Sequence, residues 1–439
     1  MPSSKELVNA RSVRAMGHDV SPALPSPDLP TELMSIILED LKPVFARTTE
    51  DNPHRPFREA THTLAQLALI NKSWHHCVAP ILYSTYLIST GDHDIERRVQ
   101  GIKHHPYLIR TVIVHGRPGC NEAVLPKTLP HYLTSCLVEC PNLQRLEIIE
   151  PQNVFGLLSK SATEKIFRSS GSALIHTLCL RSHTYQSLDK FLPYAFRMMG
   201  DIMKELRELE IFGGYTSLKP TYFAFPRELP CLESLSTTAL HPNALRKILS
   251  RTGRRKKARR GVEGSDCAGP SHPLKRLSLC WHGKDDWLLD SLSINNLSSY
   301  LTSLRLLGHG TSYLFDDAVD GRPLRILRLC PQLKEFVFFC HSTTTYLQHL
   351  PSTLEILGVY LINSDRAKVD TQLTSPAQLL PLVNTQNKRR NIKKLVVGWE
   401  AWERPTSMMG VIELLEEACQ SVGVQIEFQY SQEMRTKFN

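Results

Sequence analysis

The feature that most constrains the fold is a short apolar unit that recurs from about residue 95 onwards. In each copy, one apolar residue is followed after two variable positions by a second, and after one further position by a third. The last two apolar residues alternate with other residues, so they lie on one face of a predicted strand. The clear copies are Ile109, Val112 and Val114; Leu143, Leu146 and Ile148; Ile175, Leu178 and Leu180; Leu206, Leu209 and Ile211; Leu274, Leu277 and Leu279; Leu301, Leu304 and Leu306; Leu333, Phe336 and Phe338; Leu354, Leu357 and Val359; and Ile392, Leu395 and Val397.

Two further segments fit the unit less well. Leu232 and Leu235 form a weaker copy, and Val424, Ile426 and Phe428 form a last alternating strand. The segments between copies carry helical apolar patterns, as in 129–141 and 192–206. A single strand-plus-helix unit cannot bury its own apolar face, whereas stacked neighbours can, and this is the logic of a solenoid.

The distances between copies predict an irregular array. They range from about 20 to about 40 residues, whereas regular leucine-rich repeats cluster between about 20 and 29. We therefore expect a leucine-rich-repeat-like solenoid over 95–430, with helical connectors and long loops. The alternative is an ordinary α/β domain with a parallel sheet, but the absence of Gly-rich phosphate loops among so many copies favours the solenoid.

The segment before the array has a different pattern. Residues 1–27 are rich in Ser, Pro and charge, which predicts a disordered leader. Residues 28–85 read as a small helical module, because Leu33, Ile37 and Leu41 recur at helical spacing and a second helical pattern runs from Leu64 past Trp74. The polar stretch 43–63 between the two patterns is predicted to be a loop insertion.

The segment from Leu29 to Tyr83 resembles an F-box. The opening LPTEL, the paired apolar step at Ile37 and Leu38, and the later Lys72-Ser73-Trp74 carry the resemblance in combination. The other matching residues are Leu29, Pro30, Glu32, Leu33, Leu41, Leu64, Leu67, Ala68, Ile70, Ala79, Pro80, Leu82 and Tyr83.

This resemblance implies a partner and a set of contact residues. F-box proteins bind the Skp-type adaptor of an SCF-type cullin-RING ubiquitin ligase, and the helix ridge and Trp74 are apolar anchors of the kind that dominate interface energies. The adaptor-binding residues that the resemblance implies are Leu29, Pro30, Glu32, Leu33, Ile37, Leu38, Leu41, Leu67 and Trp74.

The small core of the module is expected to consist of Ile36, Leu67 and Ile70. The alternative interpretation is that the helices only cap the solenoid, with Trp74 in the core, because terminal repeats need a cap. The sequence thus predicts an α/β protein, with a small N-terminal helical F-box-like module followed by an irregular leucine-rich-repeat solenoid that binds an unknown protein target.

The basic character of the chain comes mainly from one segment. The formal net charge is +9, and seven Lys or Arg with no acid lie in 251–260. This run belongs to a predicted basic loop insertion over 251–272, in the widest gap between copies. It is interpreted as a solvated insertion, as a nuclear localisation signal formed by Arg254, Arg255, Lys256, Lys257, Arg259 and Arg260, or as a contact for nucleic acid or phosphoprotein. No aromatic residue interleaves the run, so base stacking and a nucleic-acid partner are not favoured.

The remaining composition argues for a binding protein rather than an enzyme. The eleven cysteines are scattered singly without a CxxC pair, which favours reduced thiols in the cytoplasm, the nucleus or both. No stretch approaches the ~20 apolar residues of a membrane span, so no membrane partner is expected. No phosphate loop, HExxH or GxSxG motif occurs. We therefore expect no catalytic residues, no metal site and no cofactor.

Overall fold

The computed structural model describes residues 29–41, 54–89, 102, 104–116, 138–150, 174–182, 205–213, 229, 231–238, 240, 242–250, 252, 274–280, 287–294, 297–307, 322–340, 350–361, 379–380, 383, 391–399 and 409–430. The predicted leader 1–27 lies outside these residues. Thr252 is the single described residue of the predicted basic insertion 251–272.

In the described part of the chain, twelve parallel strands form one sheet, and their spatial order is their order in the sequence. A doubly wound α/β domain reverses its strand order at a switch point, and no such reversal occurs among these strands. The predicted α/β class is confirmed, and the sequential order is compatible with a solenoid. The strands are β1 (Thr85–Ser89), β2 (Thr111–His115), β3 (Arg145–Ile149), β4 (Thr177–Arg181), β5 (Glu208–Phe212), β6 (Ser234–Thr237), β7 (Arg276–Cys280), β8 (Ser303–Leu307), β9 (Glu335–Cys340), β10 (Ile356–Leu361), β11 (Lys394–Trp399) and β12 (Gln425–Tyr430).

The recurring apolar residues form two parallel rows across the sheet. The second residue of each copy pairs in register with the second residue of the next, as Leu146 does with Leu178, and the third residues do the same, as Ile148 does with Leu180. These residues belong to one buried cluster that extends along the whole sheet. We call the side of the sheet that carries them the inner face, and the opposite side the outer face.

The sheet begins earlier than the predicted boundary at residue 95. β1 starts at Thr85, and its Tyr86 and Ile88 pair with Val112 and Val114, the inner-face residues of β2. With Tyr83 these residues form a further copy of the apolar unit. The sequence analysis missed it because the copy directly follows the helical segment.

Helices are found on several connections within the described part of the chain. Their buried residues, such as Leu245, Leu288 and Leu415, belong to the cluster on the inner face. No described helix is both long and apolar enough to span a bilayer. The connecting helices are α4 (Pro242–Leu249), α5 (Trp287–Ile294), α6 (Arg322–Leu329) and α7 (Met409–Ser421), and a 3₁₀ turn covers Leu297–Ser299.

Among the described residues, three helices precede the sheet: α1 (Thr31–Asp40), α2 (His54–Ala68) and α3 (Lys72–Leu82). Asn71 separates α2 from α3, since its side chain accepts a hydrogen bond from the backbone N–H of Trp74 at 2.9 Å and so caps α3. Pro80 lies inside α3 and does not end it.

The prediction of a loop over 43–63 is wrong for its second half, because α2 begins at His54. The polar composition of 54–63 concealed the helix. One face of this segment is nevertheless buried, because it carries the apolar side chain of Phe57. The hydroxyl of Thr61, one turn later, donates to the carbonyl of Phe57 at 2.7 Å.

The three helices enclose a small core of their own, formed by Leu38, Leu64 and Val78. The predicted core residues Ile36 and Ile70 do not belong to it, since their side chains are 63% and 58% exposed. The third predicted core residue, Leu67, packs against its margin. Residues four apart lie on one helix face, and it is Met34 and Leu38 of α1 that turn inwards.

The helices also contact the sheet directly. Phe57 of α2 is buried against Leu87, Ile113 and Ile149, which lie on the outer face of β1, β2 and β3. The first three strands therefore bury apolar side chains on both faces. This contact ties α2 to the first three strands of the sheet.

Candidate interaction surfaces

An apolar surface on α1 faces solvent. Leu33, Ile36 and Ile37 are 47%, 63% and 42% exposed. Their spacing of three and four residues places them side by side on one face of the helix, opposite the buried Met34 and Leu38. Large apolar side chains grouped in this way are typical of a surface that binds a partner. We call these three residues the α1 surface.

The structure separates the residues that the F-box resemblance implied. Leu33 and Ile37 lie on the α1 surface, and Pro30 and Glu32 are exposed next to it. Leu29 is partly exposed. The prediction that Leu38 contacts the adaptor is wrong, because its side chain lies in the helical core, is 1% exposed and cannot reach a partner. The remaining three, Leu41, Leu67 and Trp74, are half-buried against that core.

The turn between α2 and α3 is a second exposed apolar site. Leu69 and Ile70 are 85% and 58% exposed. The F-box match had included Ile70, and the sequence analysis had placed that residue in the core. The helical segment thus presents apolar residues to solvent at both α1 and this turn.

The outer face of the sheet carries a buried charge network in β3, β4 and β5. Arg181, which is 1% exposed, forms ion pairs of 3.0 Å with both Glu147 and Glu210. Arg145 pairs with the same two carboxylates at 3.2 and 3.6 Å. Two positive and two negative charges therefore balance, which lowers the cost of burying them.

The surroundings of Arg181 affect two titrating groups. Burial acts to lower the pKa of the Arg181 guanidinium, but the carboxylates of Glu147 and Glu210 help to raise it overall. Burial raises the pKa of the Cys179 thiol well above its usual range. Cys179 is therefore a neutral thiol, whose sulfur accepts a hydrogen bond of 3.0 Å from Nε of Arg181.

A second cluster of polar side chains lies on the outer face, in the part of the sheet from β8 to β12. Glu335 accepts hydrogen bonds from Nε of Arg305 at 2.9 Å and from the hydroxyl of Ser303 at 2.6 Å. Nearby, the ring of Tyr360 fills the space over Gly398, where an added Cβ would lie 1.9 Å from a ring carbon. Burial raises the pKa of the Tyr360 hydroxyl above its usual range.

A shallow hollow of about 400 Å³ opens at the edge where the strands of this face begin. Most of its lining side chains are basic or polar. The lining residues are Arg110, Thr111, Gln144, Arg145, His176, Thr177, Arg207 and Glu208. The sequence analysis did not single out any of them, although each lies in or directly before a strand of a recognised apolar unit.

The six basic residues proposed as a localisation signal, Arg254 to Arg260, are outside the described residues. Within the described part of the chain, no three His, Cys, Asp or Glu side chains are grouped so that they could hold a metal ion.

Neither models of protein families nor curated proteins give a match to this chain.

Proposed function

We propose that this chain is the substrate-recognition subunit of an SCF-type cullin-RING ubiquitin ligase. In this proposal residues 29–83 are an F-box that binds the Skp-type adaptor, and the sheet belongs to a leucine-rich-repeat solenoid that binds a target protein. The chain supplies no chemistry of its own. It raises the local concentration of the target near the ubiquitin-conjugating enzyme.

The observation that carries the proposal is the α1 surface. A helix that served only as a cap would bury its large apolar side chains, yet Leu33, Ile36 and Ile37 remain exposed, whereas Met34 and Leu38 on the other side of α1 are buried. The exposed residues include two that the F-box resemblance assigns to the adaptor. The surface therefore has the chemistry that adaptor binding requires, without needing any rearrangement of the helices.

The test is co-purification of the chain with the Skp-type adaptor and its cullin. The double variant Leu33→Ala and Ile37→Ala is expected to lose the adaptor and to stay folded, because both residues are substantially exposed. Exposed apolar anchors of an interface cost about 1–2 kcal/mol or more each when truncated, so the affinity should fall at least about tenfold.

A matched control removes two exposed apolar residues elsewhere, with Val138→Ala and Leu414→Ala; these side chains are 52% and 54% exposed. This control is expected to bind the adaptor like the unchanged chain. If the adaptor does not co-purify with the unchanged chain, or if both double variants bind it equally well, the ligase assignment is wrong.

The second candidate is a leucine-rich-repeat scaffold without a ligase role, in which the helices are a cap. The contact of Phe57 with Leu87, Ile113 and Ile149 favours it, because a cap must cover the end of the array. Failure of the intact chain to bind the adaptor, together with loss of solubility when 1–83 is removed, is the result that this candidate predicts.

A further inference from the structure

The residue directly before each strand forms a row along one edge of the sheet. In β2 to β5 this row is Arg110, Gln144, His176 and Arg207, all of which line the hollow. Their backbones are in register, because each N–H donates to the carbonyl of the preceding member at 2.8 Å. The order of residues across the hollow is therefore fixed, with one arginine at each end and Gln144 and His176 between them.

The two end arginines differ from the other basic residues of this row. Farther along the edge, each lysine of the row faces an acid: Lys275 pairs with Glu233 at 3.1 Å, and Lys334 and Lys393 pair with Glu355 at 3.6 and 2.8 Å. Among the described residues, no carboxylate forms an ion pair with Arg110 or Arg207, and both side chains are exposed.

Two other charged residues of the hollow are already neutralised. Arg145 is held by Glu147 and Glu210, and Glu208 is held by Arg276 and by the hydroxyl of Thr177. The unbalanced charge in the hollow thus comes from its two end arginines. A guanidinium without a protein partner is well suited to bind a carboxylate or a phosphate with two parallel hydrogen bonds.

We propose that this hollow binds an extended acidic segment of a partner protein, in which two carboxylate or phosphate groups stand four residues apart. Arg110 and Arg207 are separated by three strand spacings, or about 14 Å at ~4.8 Å each. Four residues of extended peptide span about the same distance at ~3.3 Å per residue. Gln144 and His176 lie between the two arginines and offer hydrogen-bonding groups to the intervening backbone.

The charges next to the hollow favour a short acidic segment over a nucleic acid. Glu233 is the next member of the row after Arg207, and Glu355 follows farther along. Both carboxylates are already paired with the lysines of the row, so a long polyanion on this edge would have to compete with ion pairs beyond Arg207, whereas a peptide with two acidic groups would end before them. Nucleic-acid binding also depends on many basic contacts to successive phosphates, and the hollow has two free arginines.

One part of this proposal rests on the proposed function. If the chain is a ligase subunit, the acidic segment that the hollow binds belongs to the target protein. Binding of an acidic peptide does not itself require the adaptor. The two proposals can therefore fail separately, since Leu33→Ala with Ile37→Ala should leave peptide binding unchanged, and changes in the hollow should leave adaptor binding unchanged.

The experiment measures fluorescence anisotropy of short labelled peptides with the full chain. One peptide carries two phosphoserines four residues apart, a second carries two glutamates at those positions, a third carries serines, and a fourth carries the phosphoserines two residues apart. The variant is Arg110→Gln with Arg207→Gln. The matched control, Lys334→Gln with Lys393→Gln, removes the same charge from the same edge but at paired residues, and thermal unfolding checks that both variants fold.

The expected result is binding of the phosphoserine or glutamate peptide that weakens with added salt and falls about tenfold or more in the Arg110 and Arg207 variant. The control variant should stay within about twofold. The two acidic peptides show which oxyanion is preferred. The proposal is overturned if neither acidic peptide binds, if both variants weaken binding equally, if the spacing of the acids has no effect, or if a single-stranded oligonucleotide binds more tightly than the peptides.

Discussion

Arg181 is nearly inaccessible to solvent, yet it carries a charge and lies between the carboxylates of Glu147 and Glu210. A buried guanidinium is tolerated when nearby carboxylates compensate its charge. Arg145 supplies the second positive charge, which pairs with the same two carboxylates. Exposed ion pairs on the same sheet contribute less to stability, because water solvates and screens their charges even when the pair is broken.

Replacing Arg181 with Met should therefore lower the free energy of unfolding by more than the lost contacts of the Arg181 side chain alone would. The change leaves Glu147 and Glu210 with one cation instead of two, and breaking a buried ion pair in this way costs about 3–5 kcal/mol. Urea unfolding of the full chain measures the loss. The control Arg276→Met removes an exposed partner of Glu208, for which about 1 kcal/mol or less is expected. Equal losses of unfolding free energy in the two variants would show that the ion pairs of Arg181 contribute no more to stability than an exposed ion pair does.

At the scale of single elements, the strands were predictable and their outer-face partners were not. The inner-face residues repeat at the same offsets, so a pattern within each segment of six residues was enough to place them. The ion pairs of Glu210 with Arg145 and Arg181 depend on strand register. Residues about 30 to 65 positions apart come together there, and no local pattern carries that information.

The helices before the sheet show the same limit. The apolar residues of α1 occur on more than one face, so spacing alone did not decide whether Ile36 or Leu38 turned inwards. The contacts with α2 and α3 decide it, since Leu38 packs with Leu64 and Val78. The first half of α2 was missed because its main apolar residue, Phe57, packs on the sheet rather than within the helical core.

The contact of Phe57 gives a prediction at the same scale. Phe57→Ala removes a side chain that is 7% exposed, and truncating a buried Phe costs about 3–5 kcal/mol. We expect faster proteolysis within 54–89 and a lower urea midpoint. Leu69→Ala, at an 85% exposed position in the adjacent turn, should change stability by no more than about 0.5 kcal/mol. If the Phe57 and Leu69 variants resist protease equally, α2 is not held by the sheet.

At the scale of the whole molecule, the backbone of each described strand pairs only with the strands next to it in the sequence. The twelve strands follow one another without a crossover, so stability is expected to be a sum of terms within units and between adjacent units. A local defect should then loosen its own region first, and the opposite end of the array should keep most of its protection.

Hydrogen exchange of two matched variants checks this expectation. Leu146 of β3 and Leu395 of β11 occupy the same inner-face row and are both buried, so replacing either with Ala should cost about 2–5 kcal/mol. Leu146→Ala should increase amide exchange mainly in β2 to β4, and Leu395→Ala mainly in β10 to β12. Uniform loss of protection along the sheet in both variants would show that the array unfolds as a single unit.

The sequential strand order has a consequence for biosynthesis. A newly made strand finds its pairing partner already assembled, because that partner is always the one translated just before it. The growing polypeptide can thus add one layer at a time while it leaves the ribosome, and no early layer has to wait for a distant carboxy-terminal segment. At every stage a fresh unpaired strand is exposed at the end of the stack, so chaperones that shield such edges would act at the point of elongation.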